Sequence, residues 1–307
     1  MQTTIRSAVT FTGRGLHSGL RARMTVHPAS AEYGIWFRRT DVIGRDAMVQ
    51  AHWSAVSNAR LCTEISNAAG TSVSTIEHVM AALAGCGIHN ALIEIDGPEV
   101  PILDGSSAPF AAAFLARGVR ELEASLRCFE ILEPVEVREG AAVARLEPAE
   151  TLEIDFEIDF ADAAIGHQRK HLTMSNGAFL RELSDCRTFC RQADVEAMQA
   201  NGLALGGAPG ENAVVFDGDK VLSPGGLRRA DEPVRHKMLD ALGDLALAGA
   251  PILGRYTGNR AGHAMTNRLL RALFANPAAF RIVECDEARR RLLPGTGINR
   301  SDIPAVA

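Results

Sequence analysis

The chain has 307 residues, of which 47% are hydrophobic and 22% charged, as expected for a globular protein of about two domains. Its net charge of -5 argues against a general nucleic-acid-binding protein, which needs basic side chains to neutralise phosphates. No uncharged stretch reaches the roughly 20 apolar residues that span a bilayer, and the N-terminus has no signal-peptide pattern. We therefore expect a cytoplasmic protein without a transmembrane segment, whose six scattered cysteines stay reduced.

The N-terminal part alternates short strands with two helices. Ser74 and Glu77 have the spacing of a capping box at the start of the first helix, and Gly85 is a plausible stop. The glycine-rich loop 13–19 fits a dinucleotide fingerprint only in part and does not lie in a βαβ unit, so we reject that function. Predicted strands cover 8–11, 20–26 and 90–96, and predicted helices cover about 75–85 and 107–116.

The C-terminal part repeats the succession of strands and helices. Apolar and acidic residues alternate strictly over 152–160, which predicts a strand with one buried face. Asp231 is the expected N-terminal cap of the most clearly predicted helix, 231–248, with Pro233 in its first turn. Further predicted strands cover 213–216, 220–222 and 252–257, and predicted helices cover about 194–201, 231–248 and 261–274. The pattern predicts an α+β protein of two layered domains, 1–124 and 125–307.

The helix that begins near Asp231 carries a candidate metal-binding pair. His236 and Asp240 are four residues apart, so they share one helix face and can hold one metal ion together. Zinc accepts such nitrogen and oxygen ligands and usually takes three from the protein at catalytic sites. Asp244 continues the same stripe one turn later. The alternative is a polar helix face with caps and salt bridges.

Two further histidines are candidates for the same chemistry. His78 is the best third ligand, and the adjacent Glu77 resembles the glutamate base of zincins, although the HExxH pattern is absent. The alternatives are a capping role for Glu77 and a partly buried imidazole at His78. His263 lies where a loop meets a helix, and as a protonated acid it would need an acidic partner such as Asp244. Otherwise it is an exposed residue of the first helical turn.

Six motifs together resemble one family, the zinc-dependent UDP-3-O-acyl-N-acetylglucosamine deacetylases, which catalyse the committed step of lipid A biosynthesis. They occur in the family's order and span most of the chain. The motifs are GLHSG at 15–19, TIEH at 75–78, DGPEVPILDGS at 96–106, RTF at 187–189, VRHKMLD at 234–240 and GH at 262–263.

The resemblance implies two similar layered α/β sandwich domains with the active site between them. It also implies a zinc ion, although such a ligand set accepts iron as well. The implied ligands are His78, His236 and Asp240, with water in the fourth position. The implied catalytic residues are Glu77 as general base, His263 as the protonated acid, Asp244 as its holder, and Thr188 as a hydroxyl donor to the oxyanion.

The implied substrate is a UDP-linked acylated glucosamine, which needs cationic, aromatic and apolar contacts. Lys237 and Arg260 are candidates for the diphosphate or sugar oxygens, Phe189 for the hexosamine and Phe160 for the uridine. The segment 188–210 resembles the insert that forms the acyl-chain tunnel, and its alternative is ordinary core packing. Its expected lining residues are Val195, Met198, Leu203 and Leu205.

One departure from the family concerns the nucleotide contacts. The family usually has His-Pro soon after the residue that matches Phe160, and this chain has Asp162-Ala163 instead. The alternatives for function are a related zinc amidohydrolase that acts on another acylated sugar nucleotide, and a non-catalytic sensor of the nucleotide sugar. The intact ligand set, Glu77 and His263 argue against the sensor. A regulatory protease or another protein partner stays an open alternative, because no motif bears on it.

Overall fold

Residues 1–121 form sheets covered by two helices in the computed structural model, which describes residues 1–305. The alternation of apolar and polar residues produces strands with one buried face, as in the strand from Arg21, where Ala22, Met24 and Val26 are buried. The strands of this half are β1 (Thr3–Ile5), β2 (Val9–Arg14), β3 (Arg21–Pro28), β4 (Ile35–Arg39), β5 (Met48–Gln50), β6 (Val56–Asn58), β7 (Glu64–Ser66), β8 (Ser72–Val73), β9 (Ala91–Ile95) and β10 (Val119–Glu121), and its helices are α1 (Glu77–Gly85) and α2 (Ala108–Arg117).

The main sheet of this half has the strand order β2-β3-β9-β4-β5, in which only β4 and β9 are parallel neighbours. Helix α2 packs on β2 through aromatic contacts, since the ring of Phe11 lies 4.9 Å from that of Phe110 and 6.0 Å from that of Phe114. A separate small sheet, β6-β7-β8, leads the chain into α1. The pair β1-β10 joins the two ends of this half.

Residues 127–290 supply the second main sheet and four helices. No helix within residues 1–305 is both long and apolar enough to cross a membrane. The strands are β11 (Arg127–Ile131), β12 (Val135–Glu139), β13 (Ala142–Glu147), β14 (Leu152–Asp159), β15 (His167–Thr173), β16 (Phe189–Arg191), β17 (Val214–Asp217), β18 (Lys220–Val221), β19 (Ile252–Asn259) and β20 (Phe280–Glu284), and the helices are α3 (Gln192–Ala200), α4 (Glu232–Leu245), α5 (His263–Ala275) and α6 (Glu287–Arg290).

Strand β19 organises the second main sheet, because it pairs with β11, β13 and β14. On β14 the alternation seen in the sequence is realised, since Leu152, Ile154, Phe156 and Ile158 are buried. Helix α4 packs against β14 on one side and against α1 of the first half on another. The predicted α+β class is therefore confirmed.

The contact between α1 and α4 is close because of one glycine. A Cβ atom at Gly243 would collide with the backbone carbonyl of Glu77. The missing side chain lets the first turn of α1 lie directly on α4. Residues from two distant parts of the sequence therefore share one buried site between the two halves.

Two predicted helix caps are wrong. Ser74 does not cap α1, which begins at Glu77 after Ile76 without a side-chain cap; the Ser74 hydroxyl instead donates to the carbonyl of Pro98. The Glu77 carboxylate turns away from the helix end and accepts a hydrogen bond elsewhere. Asp231 occupies the cap position of α4, but its carboxylate pairs with basic side chains and not with the helix amides. At both positions tertiary partners compete with local capping.

Candidate metal centre

Three potential metal ligands meet where α1 and α4 touch. Asp240 Oδ1 lies 3.3 Å from His236 Nε2 and 3.6 Å from His78 Nε2, and all three side chains are buried. One ligand atom from each residue lies within 4.8 Å of the other two. His236 and Asp240 share a face because they are one turn apart on α4, whereas His78 arrives from α1. The structure brings together the three residues that the sequence analysis proposed as ligands.

The donor atoms of this group fit a small divalent cation. Asp240 Oδ1 is buried and has no hydrogen-bond partner among residues 1–305. A buried carboxylate oxygen without a partner is costly, and a cation would satisfy it. Two ligands of one tetrahedral zinc ion, each bound at about 2.0–2.1 Å, lie about 3.3 Å apart, close to the separations seen here.

Neighbouring groups prepare the ligands for metal binding. His236 Nδ1 lies 3.0 Å from the carbonyl of Cys186, which leaves Nε2 for the metal. Burial lowers the pKa of His236 to about 4, so the ring is neutral near pH 7, the form that binds metals. Burial alone would raise the pKa of Asp240, but His236 and Lys237 outweigh it and hold that pKa well below its usual range.

Lys237 belongs to the metal centre itself. Its Nζ atom donates to Asp240 Oδ2 at 2.7 Å, on the oxygen that does not face the histidines. Asp240 and the other charges of the site raise the pKa of Lys237 despite its burial. The lysine therefore orients the carboxylate, in addition to any contact with a substrate.

Glu77 precedes the ligand His78 in the chain and is not itself one of the three possible ligands. It is buried, its Oε2 accepts the backbone N–H of Thr63 at 3.0 Å, and its Oε1 lies 4.0 Å from His263 Nε2. Burial raises the pKa of this carboxyl, although His263 and His78 oppose the shift. A carboxylate with a raised pKa is a stronger base, which suits proton abstraction.

His263 and Asp244 form a buried pair next to Glu77. His263 Nδ1 lies 2.8 Å from Asp244 Oδ2, which makes Asp244 the acidic partner that the sequence analysis proposed. Burial lowers the pKa of His263, but the charge and hydrogen bond of Asp244 outweigh it and raise the pKa to about 9. The imidazole is therefore protonated at neutral pH, and its Nε2 faces Glu77.

The segment that contains Thr188 and Phe189 is anchored beside α4. Arg187 donates to Glu232 at 2.9 Å in a buried ion pair, and the Thr188 N–H donates to the carbonyl of Gly105 at 2.8 Å. The Phe189 ring lies 6.3 Å from the His236 ring, and Phe160 lies 5.7 Å from Phe189. Both predicted aromatic contacts therefore lie on one side of the metal centre.

Arg260 lies outside this group. Its guanidinium pairs with Asp159 on β14, and its backbone N–H donates to the carbonyl of Glu157. The described contacts of Arg260 are thus with the second sheet and not with the metal centre. Its assignment to the substrate stays a prediction.

The predicted acyl-chain segment presents apolar side chains at the surface. Helix α3 has no buried residue; Val195, Met198 and Leu203 are half-buried and Leu205 is 57% exposed. The segment touches the glycine-rich loop of the first half, since the N–H of Leu205 donates to the carbonyl of His17 at 3.1 Å. Apolar residues that are left unburied beside this loop suit a binding surface better than a core.

Two residues of this region were missed as site residues in the sequence analysis. Both ring nitrogens of His17 are buried without a hydrogen-bond partner in the described chain. Burial lowers the pKa of His17, and the charge of nearby His263 lowers it further. Glu99 fixes the loop, because its carboxylate accepts the N–H groups of His17 and Ser18 at 2.8 Å each. The histidine inside the GLHSG motif was the available signal.

The fold and the site together define a class of protein. Two histidines and an aspartate that can hold a cation, a free buried glutamate, and a histidine held protonated by an aspartate are typical of metal-dependent hydrolases. Groups that act on one bond must surround it, and here the possible ligands lie 3.3 and 3.6 Å apart while Glu77 lies 4.0 Å from His263.

Comparison with known proteins gives the family. The family profile described as UDP-3-O-acyl N-acetylglycosamine deacetylase matches residues 2–275. The UDP-3-O-acyl-N-acetylglucosamine deacetylase of Phenylobacterium zucineum is 52% identical over 92% of this chain and 96% of its own length. Proteins of the same name from Anaeromyxobacter sp. and Shewanella frigidimarina are 45% and 43% identical, over 92% and 93% of this chain and 91% and 94% of their own lengths. The chain belongs to the UDP-3-O-acyl-N-acetylglucosamine deacetylase family.

Proposed function

We propose that this protein uses zinc to hydrolyse the 2-acetamido group of UDP-3-O-(3-hydroxyacyl)-N-acetylglucosamine. The products are acetate and UDP-3-O-(3-hydroxyacyl)-glucosamine, in the committed step of lipid A biosynthesis. The observation that carries the proposal is the buried group His78, His236 and Asp240 beside Glu77 and the His263–Asp244 pair. Membership of the deacetylase family supplies the substrate class.

The chain's own carboxylate begins the reaction. Zinc, when bound to the three ligands, supplies a Lewis acid and lowers the pKa of a nearby water. Glu77 takes the proton from the attacking water through Oε1, because Oε2 is already held by the backbone of Thr63. General-base catalysis of this kind contributes about 10²–10⁴-fold in rate.

The protonated histidine completes the reaction. Its Nε2–H faces the same space as Glu77 Oε1, at 4.0 Å, where a tetrahedral oxyanion would develop and the amine would leave. His263 stabilises that charge and protonates the amine, while Asp244 fixes its tautomer and orientation. The Thr188 hydroxyl is a second donor to the oxyanion, the role that the resemblance to the family implies, and its backbone N–H is held by the carbonyl of Gly105.

The substrate subsites follow from the surroundings of the metal centre. Phe189 packs on the hexosamine and Phe160 continues the aromatic surface towards the uridine. Lys237 meets sugar or phosphate oxygens from its position on Asp240, and Arg260 is the more distant cation. The acyl chain lies along α3 and the segment that follows it, on Val195, Met198 and Leu203.

Acetate release is the direct test. Purified protein is given UDP-3-O-(3-hydroxyacyl)-N-acetylglucosamine, and acetate is measured before chelation, after chelation and after zinc is restored. We expect release that stops on chelation and returns with zinc. No release from folded, zinc-loaded protein would contradict the proposed substrate and favour another acylated sugar nucleotide or a sensor. If chelation does not affect acetate release, the proposed need for a metal ion is contradicted.

The pH dependence tests the role of His263. Because its pKa is raised from 6.5 to about 9, the acid form is present below that pH and is lost as the pH rises through it. We expect kcat/KM to fall on the alkaline side near pH 9. The charges that face this imidazole are Asp244 and Asp240 on α4 and Glu77 on α1, with His17 nearby.

A single variant separates this explanation from other alkaline losses. Asp244→Asn removes the charge that raises the pKa of His263. The alkaline limb of kcat/KM should therefore move to lower pH in the variant, in addition to a loss of rate. An alkaline limb that stays in place in Asp244→Asn would contradict the assignment to His263.

A further inference from the structure

Thr63 joins the two catalytic carboxylates. Its hydroxyl donates to Asp244 Oδ1 at 2.6 Å, and its backbone N–H donates to Glu77 Oε2 at 3.0 Å. The residue is 2% exposed, so both hydrogen bonds are shielded from water. Hydrogen bonds to buried charged groups are among the stronger ones in proteins.

The position of Thr63 makes this bridge a link between the two halves of the molecule. It lies directly before β7 in the small sheet of the first half, and its own carbonyl accepts the N–H of Ile76 at 3.4 Å, at the start of α1. Its backbone is therefore fixed to the helix that carries Glu77. Its side chain reaches Asp244 on α4, which is 181 residues away in sequence.

Each carboxylate has two oxygens, and Thr63 occupies one oxygen of each. Glu77 Oε1 is left facing His263 Nε2, and Asp244 Oδ2 is left for His263 Nδ1. Rotation of either carboxylate would break a buried hydrogen bond. The bridge therefore selects one orientation for the base and one for the holder of the acid.

We propose that Thr63 is a positioning residue for the deacetylation. It sets the placement of the Glu77 base relative to the His263–Asp244 acid pair across the boundary between the halves. The inference rests on the proposed roles of Glu77, Asp244 and His263. The part of the Thr63 side chain that positions Asp244 is the hydroxyl and not the methyl group, because the hydroxyl makes the hydrogen bond to Asp244.

The test compares two replacements with a matched control. Thr63→Val keeps the shape and the backbone N–H but removes the hydroxyl, and Thr63→Ser keeps the hydroxyl. Asn267→Ala removes another hydrogen bond between the halves, from Asn267 to the carbonyl of Trp53 at 2.9 Å, that touches neither carboxylate. For each we measure kcat, KM, zinc content and the melting temperature.

We expect kcat to fall roughly ten- to a hundredfold in Thr63→Val, as for a lost hydrogen bond to a charged group. KM should stay within about threefold and zinc content unchanged, because these two hydrogen bonds of Thr63 go to Glu77 and Asp244 and not to a ligand. Thr63→Ser should recover kcat to within about threefold, and Asn267→Ala should keep it. A wild-type kcat in Thr63→Val, or a loss that serine does not rescue, would overturn the inference.

A double-mutant cycle shows whether Thr63 acts through Asp244. Thr63→Val is combined with Asp244→Asn, and the effect of the valine should be clearly smaller in that background than in the wild type. Equal effects in both backgrounds would overturn the inference. Zinc-dependent acetate release by the wild type, lost in Glu77→Gln, tests the proposed function separately. If the wild type releases acetate with zinc and Glu77→Gln does not, but Thr63→Val keeps the wild-type kcat, then the proposed function stands and only the role of Thr63 is contradicted.

Discussion

Glu77→Ala and the isosteric Glu77→Gln are expected to reduce kcat by about 10²–10⁴-fold while the protein keeps its metal. Glutamine can still accept the N–H of Thr63, so its packing is preserved, but it cannot take a proton from water. The ligands His78, His236 and Asp240 remain in both variants. Turnover is measured as acetate release, and zinc by elemental analysis of the same preparations.

A half-buried glutamate on β13 provides the control for this prediction. Glu147→Gln removes a carboxylate whose ion pair is with Arg145 on the same strand and not with a site residue, and it should leave kcat unchanged. Unchanged turnover in Glu77→Ala would remove Glu77 as the base. Loss of zinc together with turnover would show that Glu77 supports the metal instead.

Asp240→Ala is expected to weaken metal binding strongly. It removes one of three ligand groups and leaves Lys237 without its carboxylate partner. The loss in zinc affinity should exceed the roughly 10–100-fold that the loss of an outer-shell partner costs. Affinity is measured by competition with a chelator of known strength, and acetate release should fall with occupancy.

Asp244→Asn is the matched comparison, because Asp244 lies one turn from Asp240 on the same helix but contacts His263 and Thr63. It should lose activity while it keeps zinc. Full metal occupancy in Asp240→Ala would exclude Asp240 from the ligand set. Equal loss of zinc in both variants would point to damage to α4 and not to loss of a ligand.

The local elements could be predicted from the sequence because their signals are local. The alternation over β14 and the stop of α1 at Gly85 appear where the patterns indicate. The resemblance to the deacetylase family is confirmed by the family profile and its relatives. The division at residues 124 and 125 stays a prediction.

The caps show where local rules stop being sufficient. Ser74 and Glu77 have capping-box spacing, yet Glu77 serves the buried site and Ser74 bonds to Pro98. A carboxylate can accept from its own helix end or from a distant amide, and sequence spacing does not reveal which partner is nearer. The backbone of Thr63, which lies beside the start of α1, decides the competition for Glu77.

The sequence by itself determined which residues share a helix face. His236, Asp240 and Asp244 follow the helical repeat, so their stripe needs no tertiary information. The tertiary structure alone decided that His78 and Glu77 meet this stripe, because the contact depends on the space left at Gly243. It alone decided that Thr63 bridges Glu77 and Asp244 and that Lys237 lies on Asp240. Helical periodicity is fixed by the backbone over a few residues, whereas these contacts join segments up to 181 residues apart through close packing.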